Sequence, residues 1–541
     1  VIPTSLARLA QSMILATFFG VVLMGCAQPA GTSTSSTDEK SAADKTPAAA
    51  GTATTDPNPA TDDAKPKAAG FLNDWKKPAV ALMLSGEQHG YLEPCGCSET
   101  QSGGMARRAD LFEKLVKDRG WNVVGLDLGG TLKRSRRQDE IKFDQLFEAF
   151  RQLNYAAIGV GVEELKLGAD FLLTRKTSDE VSPALVSANV VLFDQPDLEW
   201  PLPHRLIEKG GVKIAVTGIF GPSLTDKVAP AGVVTNISIR NPDDVLPGVI
   251  KNLEALKPDL MVLLCHGNDA EAKQYAKAYP QFKIVLAAGG YDEPDGKPIP
   301  VGESWVLNVG HKGKRVGVLG FYPDDKANPF RFELIQLDKD RFQNHPAMRQ
   351  LMRDYQQQLQ DEGIAESEQL LINSHPSGQT YVGAEKCAGC HSKAFEHWKE
   401  TGHARAFTTL KEGPWHENRA EEKIGWIPRQ FDPECLSCHV TGWNPQEMLR
   451  YGSGYVKEQV SPHLLGQQCE NCHGPASLHV SREEAGAAMD ELLEGRRMVK
   501  RTLAEAKKTM CIECHDPDNS PKFTPDRFDA FWDEVKHPWK D

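Results

Sequence analysis

Near the end of the chain the pattern Cys-x-x-Cys-His occurs four times, at Cys387/Cys390/His391, Cys435/Cys438/His439, Cys469/Cys472/His473 and Cys511/Cys514/His515. Two thiols at this spacing can add across the vinyl groups of one porphyrin, and the His that follows falls under the iron as proximal ligand. The pattern therefore implies covalent attachment of four haem c groups. Structural zinc also uses Cys-x-x-Cys pairs, but a tetrahedral zinc site has no need of His directly after each second Cys. Haem attachment would take eight of the twelve cysteines.

What each iron can do depends on its sixth ligand. A second His gives a six-coordinate electron-transfer haem, and an open position admits a small molecule. Ten histidines lie between Tyr381 and Asp541; besides the four proximal ones they are His397, His403, His416, His463, His479 and His537. His397, His416 and His463 read as solvent-facing or hydrogen-bonding residues. This segment resembles the tetrahaem cytochromes of ammonia oxidisers that accept electrons from hydroxylamine oxidoreductase. The residues that carry the likeness are Tyr381-Val382-Gly383, Trp398, Thr401-Gly402-His403-Ala404, Cys438-His439-Val440-Thr441-Gly442, Cys469 to Pro475 with His479, and Lys536-His537-Pro538. In that family three haems are bis-His and one is five-coordinate. The resemblance implies distal iron ligands at His403, His479 and His537, each on a haem other than its sequence neighbour. It leaves the haem of Cys435/Cys438/His439 as the open one, unless His416 or His463 closes it.

Residues 381–541 are few for four haems, so the porphyrins are expected to supply much of the apolar core of a mostly α-helical multihaem cytochrome c domain. Ahead of it, Met348, Leu351, Met352, Tyr355 and Leu359 recur at helical spacing after Asn344-His345-Pro346. They form one apolar stripe suited to docking between domains, within a helical linker over 339–380.

From residue 71 to 338 short apolar runs alternate with helices. The runs are Ala79 to Leu84, Asn122 to Leu128, Ala156 to Val160, Ala184 to Ala188, Val212 to Gly218, Leu260 to Cys265 and Lys283 to Ala287, with a helix over 104–118. This is the pattern of a layered α/β domain. At several run ends it resembles the calcineurin-like metallophosphoesterases, particularly bacterial 5′-nucleotidases and thiosulfohydrolases, so a metallophosphoesterase-like layered sandwich is expected. The likeness rests on Gly103-Gly104-Met105-Ala106-Arg107-Arg108, Ser187-Ala188-Asn189-Val190 and Cys265-His266-Gly267. In that family a two-metal centre activates water, using Asp-x-His, Gly-Asp, Gly-Asn-His-Glu, a lone His and Gly-His-x-His. This chain has Glu87-Gln88-His89 at the first, Gly129-Gly130 at the second, Gly161-Val162-Glu163-Glu164 at the third, His266 at the fourth and Gly289-Gly290-Tyr291-Asp292 at the fifth. With the bridging Asp replaced by Gly130, the resemblance implies a fold whose hydrolysis is lost.

Cys95, Cys97 and Cys265 remain, and the resembled fold would set them near Glu87, His89 and His266. These residue types allow an additional zinc or copper ion in a remnant site, a disulfide from Cys265 to Cys95 or Cys97, or inert thiols.

The 541 residues carry a formal net charge of −12 with 25% charged residues, which disfavours a nucleic-acid partner and suits redox partner proteins. Arg8, the apolar run Met13 to Met24 and Leu23-Met24-Gly25-Cys26 read as a lipoprotein signal peptide over 1–25. Cys26 would be the lipidated residue, and 26–70, poor in large apolar groups, a disordered tether. The sequence thus leads to a protein anchored to a bacterial membrane through lipid, exposed on the periplasmic side, with the outer membrane preferred. Three functions follow: electron transfer, with one haem open to a small nitrogen or oxygen species; a 5′-nucleotidase-like hydrolase with accessory haems; or a redox-sensing or scaffolding lipoprotein.

Overall fold

Two six-stranded sheets stand face to face in the computed structural model, which describes residues 70–94, 101–176, 183–230, 236–289, 293–414 and 423–537. The strands are β1 (Val80–Ser85), β2 (Val123–Asp127), β3 (Tyr155–Ile158), β4 (Ala184–Leu185), β5 (Val190–Leu192), β6 (Arg205–Lys209), β7 (Val212–Phe220), β8 (Ile237–Ile239), β9 (Leu260–His266), β10 (Ile284–Ala287), β11 (Ile299–Val301), β12 (Ser304–Asn308), β13 (Arg315–Phe321) and β14 (Phe330–Gln336). One sheet runs β14-β13-β1-β2-β3-β4 and the other β11-β12-β10-β9-β7-β6; β5 and β8 make a separate antiparallel pair. Neighbours from β1 to β4 are parallel, as are β7, β9, β10 and β12. Buried on both faces, β1, β2, β9 and β10 are apolar without alternation.

Strand periodicity sorts the side chains into layers. Leu260, Val262 and Leu264 of β9 join the core shared by the two sheets, while Met261, Leu263 and Cys265 face a second core beneath the helices Pro242–Ala255 and Asp269–Ala278. The expected layered α/β sandwich is therefore present. Two local expectations change. The helix after Gly104 is α-helical over Met105–Glu113 and ends in a π turn over Lys114–Asp118. The run Ala184 to Ala188 pairs as a strand only over Ala184–Leu185, after which Val186 bridges to Leu202.

The helix Pro346–Asp361 buries Met348, Leu351, Met352, Tyr355 and Leu359 against the helices Met105–Glu113 and Arg137–Gln152. Its core continues through Phe407, Leu410, Leu436, Val440 and Trp443 of the haem-motif region. That region is built of short helices and one small sheet, in which β15 (Leu371–Ile372) pairs in parallel with β17 (Leu449–Tyr451), and β17 pairs antiparallel with β16 (Trp443–Asn444). Residues Lys67–Asp541 form one compact unit. Among the described residues no helix is long and apolar enough to cross a membrane. The expected signal peptide over 1–25 and tether over 26–70, with Cys26, fall outside the described residues apart from Gly70.

Candidate haem centres and the adjoining strand-end site

Helical turns present most of the attachment residues. Cys435, Cys438 and His439 lie in the helix Pro433–His439, Cys469, Cys472 and His473 in Cys469–His473, Cys387 in Ala384–Ala388, and Cys511 in a 3₁₀ turn. Two thiols three residues apart share one helix face, as bonding to one porphyrin edge requires. Pro433 at the first helical position and Asp432 as cap, accepting from the Glu434 N–H at 3.0 Å, start the second of these helices where they do.

Cys390 stands apart from the other motif cysteines. It is exposed, whereas the other seven motif cysteines are half-buried. The physical reason is local: the helix Ala384–Ala388 stops two residues short of it, and Cys390 falls in the turn that follows. That turn keeps the spacing of the motif, since the Cys390 and His391 N–H groups both donate to the Cys387 carbonyl, at 3.2 and 2.8 Å. Its place as an attachment residue thus rests on sequence spacing and this turn, not on burial. The motif that holds it is the most open of the four.

The proximal rings are held by their far nitrogens. His439 Nδ1 lies 2.7 Å from the Ala406 carbonyl, His473 Nδ1 2.7 Å from the Val499 carbonyl, and His515 Nδ1 2.8 Å from Ser520 Oγ. An Nδ1–H donated to a carbonyl leaves Nε2 as the metal-facing lone pair. Opposite three of the proximal rings stands a second imidazole. The ring centres are 6.5 Å apart for His391 and His479, 6.0 Å for His473 and His537, and 6.1 Å for His403 and His515. Two imidazoles on opposite sides of one metal, with bonds of about 2 Å, put their ring centres about 6 Å apart. Burial, then the neighbouring His515 and His439, hold the His403 ring at a pKa of about 4, neutral as a ligand must be. The residues present therefore fit haem. Each of the three distal candidates faces a proximal His other than its sequence neighbour.

The motifs also adjoin one another. The Cys387 and Cys469 sulfurs lie side by side, as do those of Cys438 and Cys514, and Cys472 lies close to Cys511. The spatial run is first, third, fourth, second. His397 has a buried Nε2, and His463 packs on Gly383. His416 lies outside the described residues.

A second cluster occupies the C-terminal ends of β1, β2, β9 and β10, where open parallel sheets gather functional residues. Glu87 and His89 follow β1 with positive φ of 46° and 50°. Between them the buried Gln88 accepts from Arg108 at 2.5 Å, which fixes the turn. The Glu87 carboxylate accepts from the Gly289 N–H at 3.0 Å and lies 3.0 Å from His311 Nε2. The His89 and His311 rings are 5.3 Å apart, and His266 stacks on Phe220. Burial raises the Glu87 carboxyl, but His311, the Gly289 N–H and His266 together more than offset it, leaving it below the ordinary range. Burial pushes His89 down to about 4 against the pull of Glu87. Sequence reasoning missed His311. The available signal was a His just past the apolar run ending at Val309, the edge of β12.

Cys265 does not belong with this cluster. It neighbours His266 on β9, so its side chain points to the opposite sheet face, into the core beneath the outer helices, and burial raises its thiol strongly. It is a free thiol. Cys95, Cys97, Gly290, Tyr291 and Asp292 lie outside the described residues. The residues present do not fit a two-metal centre. A Cβ on Gly130 would come within 3.1 Å of His266 Cε1, and Glu164 is tied to Thr131, Leu132 and Gly161 through backbone and hydroxyl hydrogen bonds. Among the described residues no three His, Cys, Asp or Glu converge to hold a metal ion. The cluster instead adjoins the fourth haem motif, because Lys312 and Lys314 pair with Asp518 at 2.5 and 3.0 Å.

Cys-x-x-Cys-His cysteines on helical turns and imidazoles in facing pairs give the C-terminal part the features that covalent haem attachment requires. Residues 386–474 match the family described as cytochrome c554 and c-prime. Cytochrome c-554 of Nitrosomonas europaea is 30% identical over 144 residues, covering 25% of this chain and 57% of that protein, so the chain spans little more than half of that relative. The α/β part is similar to a 5′-nucleotidase precursor from Thermus thermophilus (TM-score 0.44, 21% identity, 52% of this chain and 59% of that one). It is also similar to the calcineurin-like phosphoesterase YfkN from Bacillus subtilis (TM-score 0.41, 15% identity, 52% of this chain and 97% of that one).

Proposed function

We propose that this protein is an exported, lipid-anchored tetrahaem cytochrome that passes electrons between redox partner proteins on the periplasmic side of a bacterial membrane. Its α/β part no longer hydrolyses phosphoesters. The observation that carries this reading is the facing of three proximal rings by three distal ones at 6.0 to 6.5 Å. Haem supplies a one-electron Fe(III)/Fe(II) couple whose potential the protein adjusts through ligands, burial and hydrogen bonds. His391 with His479, His473 with His537, and His515 with His403 would each hold one iron. The bonds from Nδ1 orient the His439, His473 and His515 rings. The succession of adjoining motifs gives electrons a short path through the domain.

The test is mass analysis of the mature protein for four thioether-linked haems, with electron paramagnetic resonance of single variants. His403→Ala, His479→Ala and His537→Ala should each convert one low-spin iron to high spin. An unchanged spectrum in all three would remove the bis-His assignments. The likeness to the ammonia-oxidiser cytochromes adds a haem at Cys435/Cys438/His439 that reacts with a small nitrogen or oxygen species. Nitric oxide binding to one iron in four supports this, and binding to none ends it. Manganese-dependent phosphatase turnover that disappears in His266→Ala would restore the hydrolase reading.

A further inference from the structure

The helix that carries the second haem motif is anchored in the α/β part. Its cap, Asp432, is 4% exposed. Asp432 Oδ1 accepts from Gln138 Nε2 at 2.8 Å, and Oδ2 accepts from Gln356 Nε2 at 2.9 Å. Gln138 also donates to the Tyr355 hydroxyl at 2.7 Å. Two residues on, Glu434 pairs with Lys142 Nζ at 2.5 Å, with Arg134 at 3.8 Å on its other oxygen. Gln138 and Lys142 are four apart on the helix Arg137–Gln152, so a single helix face delivers both. The Lys142 side chain is only 4% exposed. Over it lies Gly90, at φ 76°, where a Cβ would come within 3.3 Å of Nζ. The loop bearing Glu87 and His89 therefore closes over the ammonium that holds the second haem helix.

We propose that Lys142 sets the reduction potential of the His439 haem, and that this is what the α/β part contributes to the haem-motif region. The proposal rests on the tetrahaem reading. Glu434 immediately precedes Cys435, whose sulfur would join the porphyrin edge, and it lies in the same short helix as His439. A ferric haem carries one more positive charge than a ferrous one, so an uncompensated carboxylate favours Fe(III) and a cation favours Fe(II). Solvent salt screens a buried pair poorly, so the Lys142 charge acts on its surroundings at low effective dielectric. The other charged groups facing the pair are Asp432, Asp139, Arg134 and Lys133. None of them neutralises Glu434 from a comparable distance: Arg134, its other ion-pair partner, stands at 3.8 Å. Lys142 is a positioning and tuning residue that touches no reacting atom.

Spectroelectrochemical titration of the full haem-loaded protein tests the proposal. His439→Met, which exchanges the axial ligand and raises that haem's potential, marks which of the four midpoints belongs to it. Lys142→Met should lower this midpoint enough to change its Fe(III)/Fe(II) ratio about tenfold at fixed ambient potential, or about 59 mV for a one-electron couple. Glu434→Gln should move it the opposite way, and Lys142→Arg should leave it in place. The other three midpoints should not move. If Lys142→Met fails to accumulate with its haems, the opposite-signed Glu434→Gln variant decides. A marked midpoint unmoved in both variants, or all four midpoints shifted alike, overturns the proposal. Haem content separates this outcome from failure of the tetrahaem reading: fewer than four haems in the unaltered protein sinks the latter, whereas four haems with a fixed midpoint sinks only the role of Lys142.

Discussion

Gly130 sits at φ 70° between His266 and Glu87, and its missing side chain is what lets the two approach. Placing a carboxylate there with Gly130→Asp would force a Cβ to 3.1 Å from His266 Cε1 and 3.2 Å from Glu87 Cα in a left-handed backbone. The expected result is a loss of about 1–3 kcal/mol in urea unfolding, with no manganese-dependent phosphatase activity gained. His89 makes a second test, since its pKa falls from 6.5 to about 4 on folding. The unfolded chain takes up this proton first as pH drops, so the associated stability is complete above about pH 6.5 and is lost on the way down to about 4. In His89→Gln that loss should shrink by about 2 kcal/mol, allowing for the ring's partial exposure, when denaturation midpoints at pH 7 and pH 4.5 are compared. Single residues are legible in the sequence where their partners are close in the chain. Cys435, Cys438 and His439 declare their chemistry within five residues. The same spacing says nothing of exposure, which is why Cys390, past the end of its helix, differs from the other motif cysteines. The Glu87–His311 pairing is not legible at all, because the two residues meet only when β1 and β12 are brought into separate, facing sheets.

Among the elements, the helix Pro433–His439 depends most on groups outside itself. Asp432→Ala would remove its cap and leave the buried Gln138 and Gln356 amides without an acceptor. The expected cost is about 2–4 kcal/mol in denaturation followed at the Soret band, and Asp432→Asn, which keeps one acceptor, should cost less than half of that. The central strands are readable because burial on both faces makes β1, β2, β9 and β10 continuously apolar. β14 gives no such signal because it is half exposed along most of its length. The place of β13, antiparallel beside β1, follows from long-range packing that no local pattern encodes. The misplacement of Cys265 has a related cause. Its neighbour His266 does reach the strand-end cluster, but a step of one residue along a strand reverses the direction of the side chain.

For the whole molecule, the junction between the two parts is specific, with a buried polar centre and partly exposed ion pairs around it. The buried Gln138 and Asp432 meet across 294 residues of chain, Lys142 meets Glu434, Arg429 pairs with Glu93, and Lys312 and Lys314 hold Asp518. A single apolar core runs from β1 through Tyr355 to Leu436 and Val440. Separating the parts would expose the shared apolar core to water, take Lys142 from Glu434 and leave Asp432 without two of its donors. Such a junction should couple the two unfolding equilibria, although composition and net charge give no hint of it. In urea, loss of the Soret signature and loss of the β-sheet circular dichroism signal should therefore share one midpoint, with a slope suited to the surface of the whole compact unit. Asp432→Ala combined with Lys142→Met should split that transition in two, the haem signal moving to lower urea while the sheet signal stays nearer its original midpoint. Two resolved transitions in the unaltered protein would instead mean that the parts fold independently and that the buried polar junction contributes contact without cooperativity.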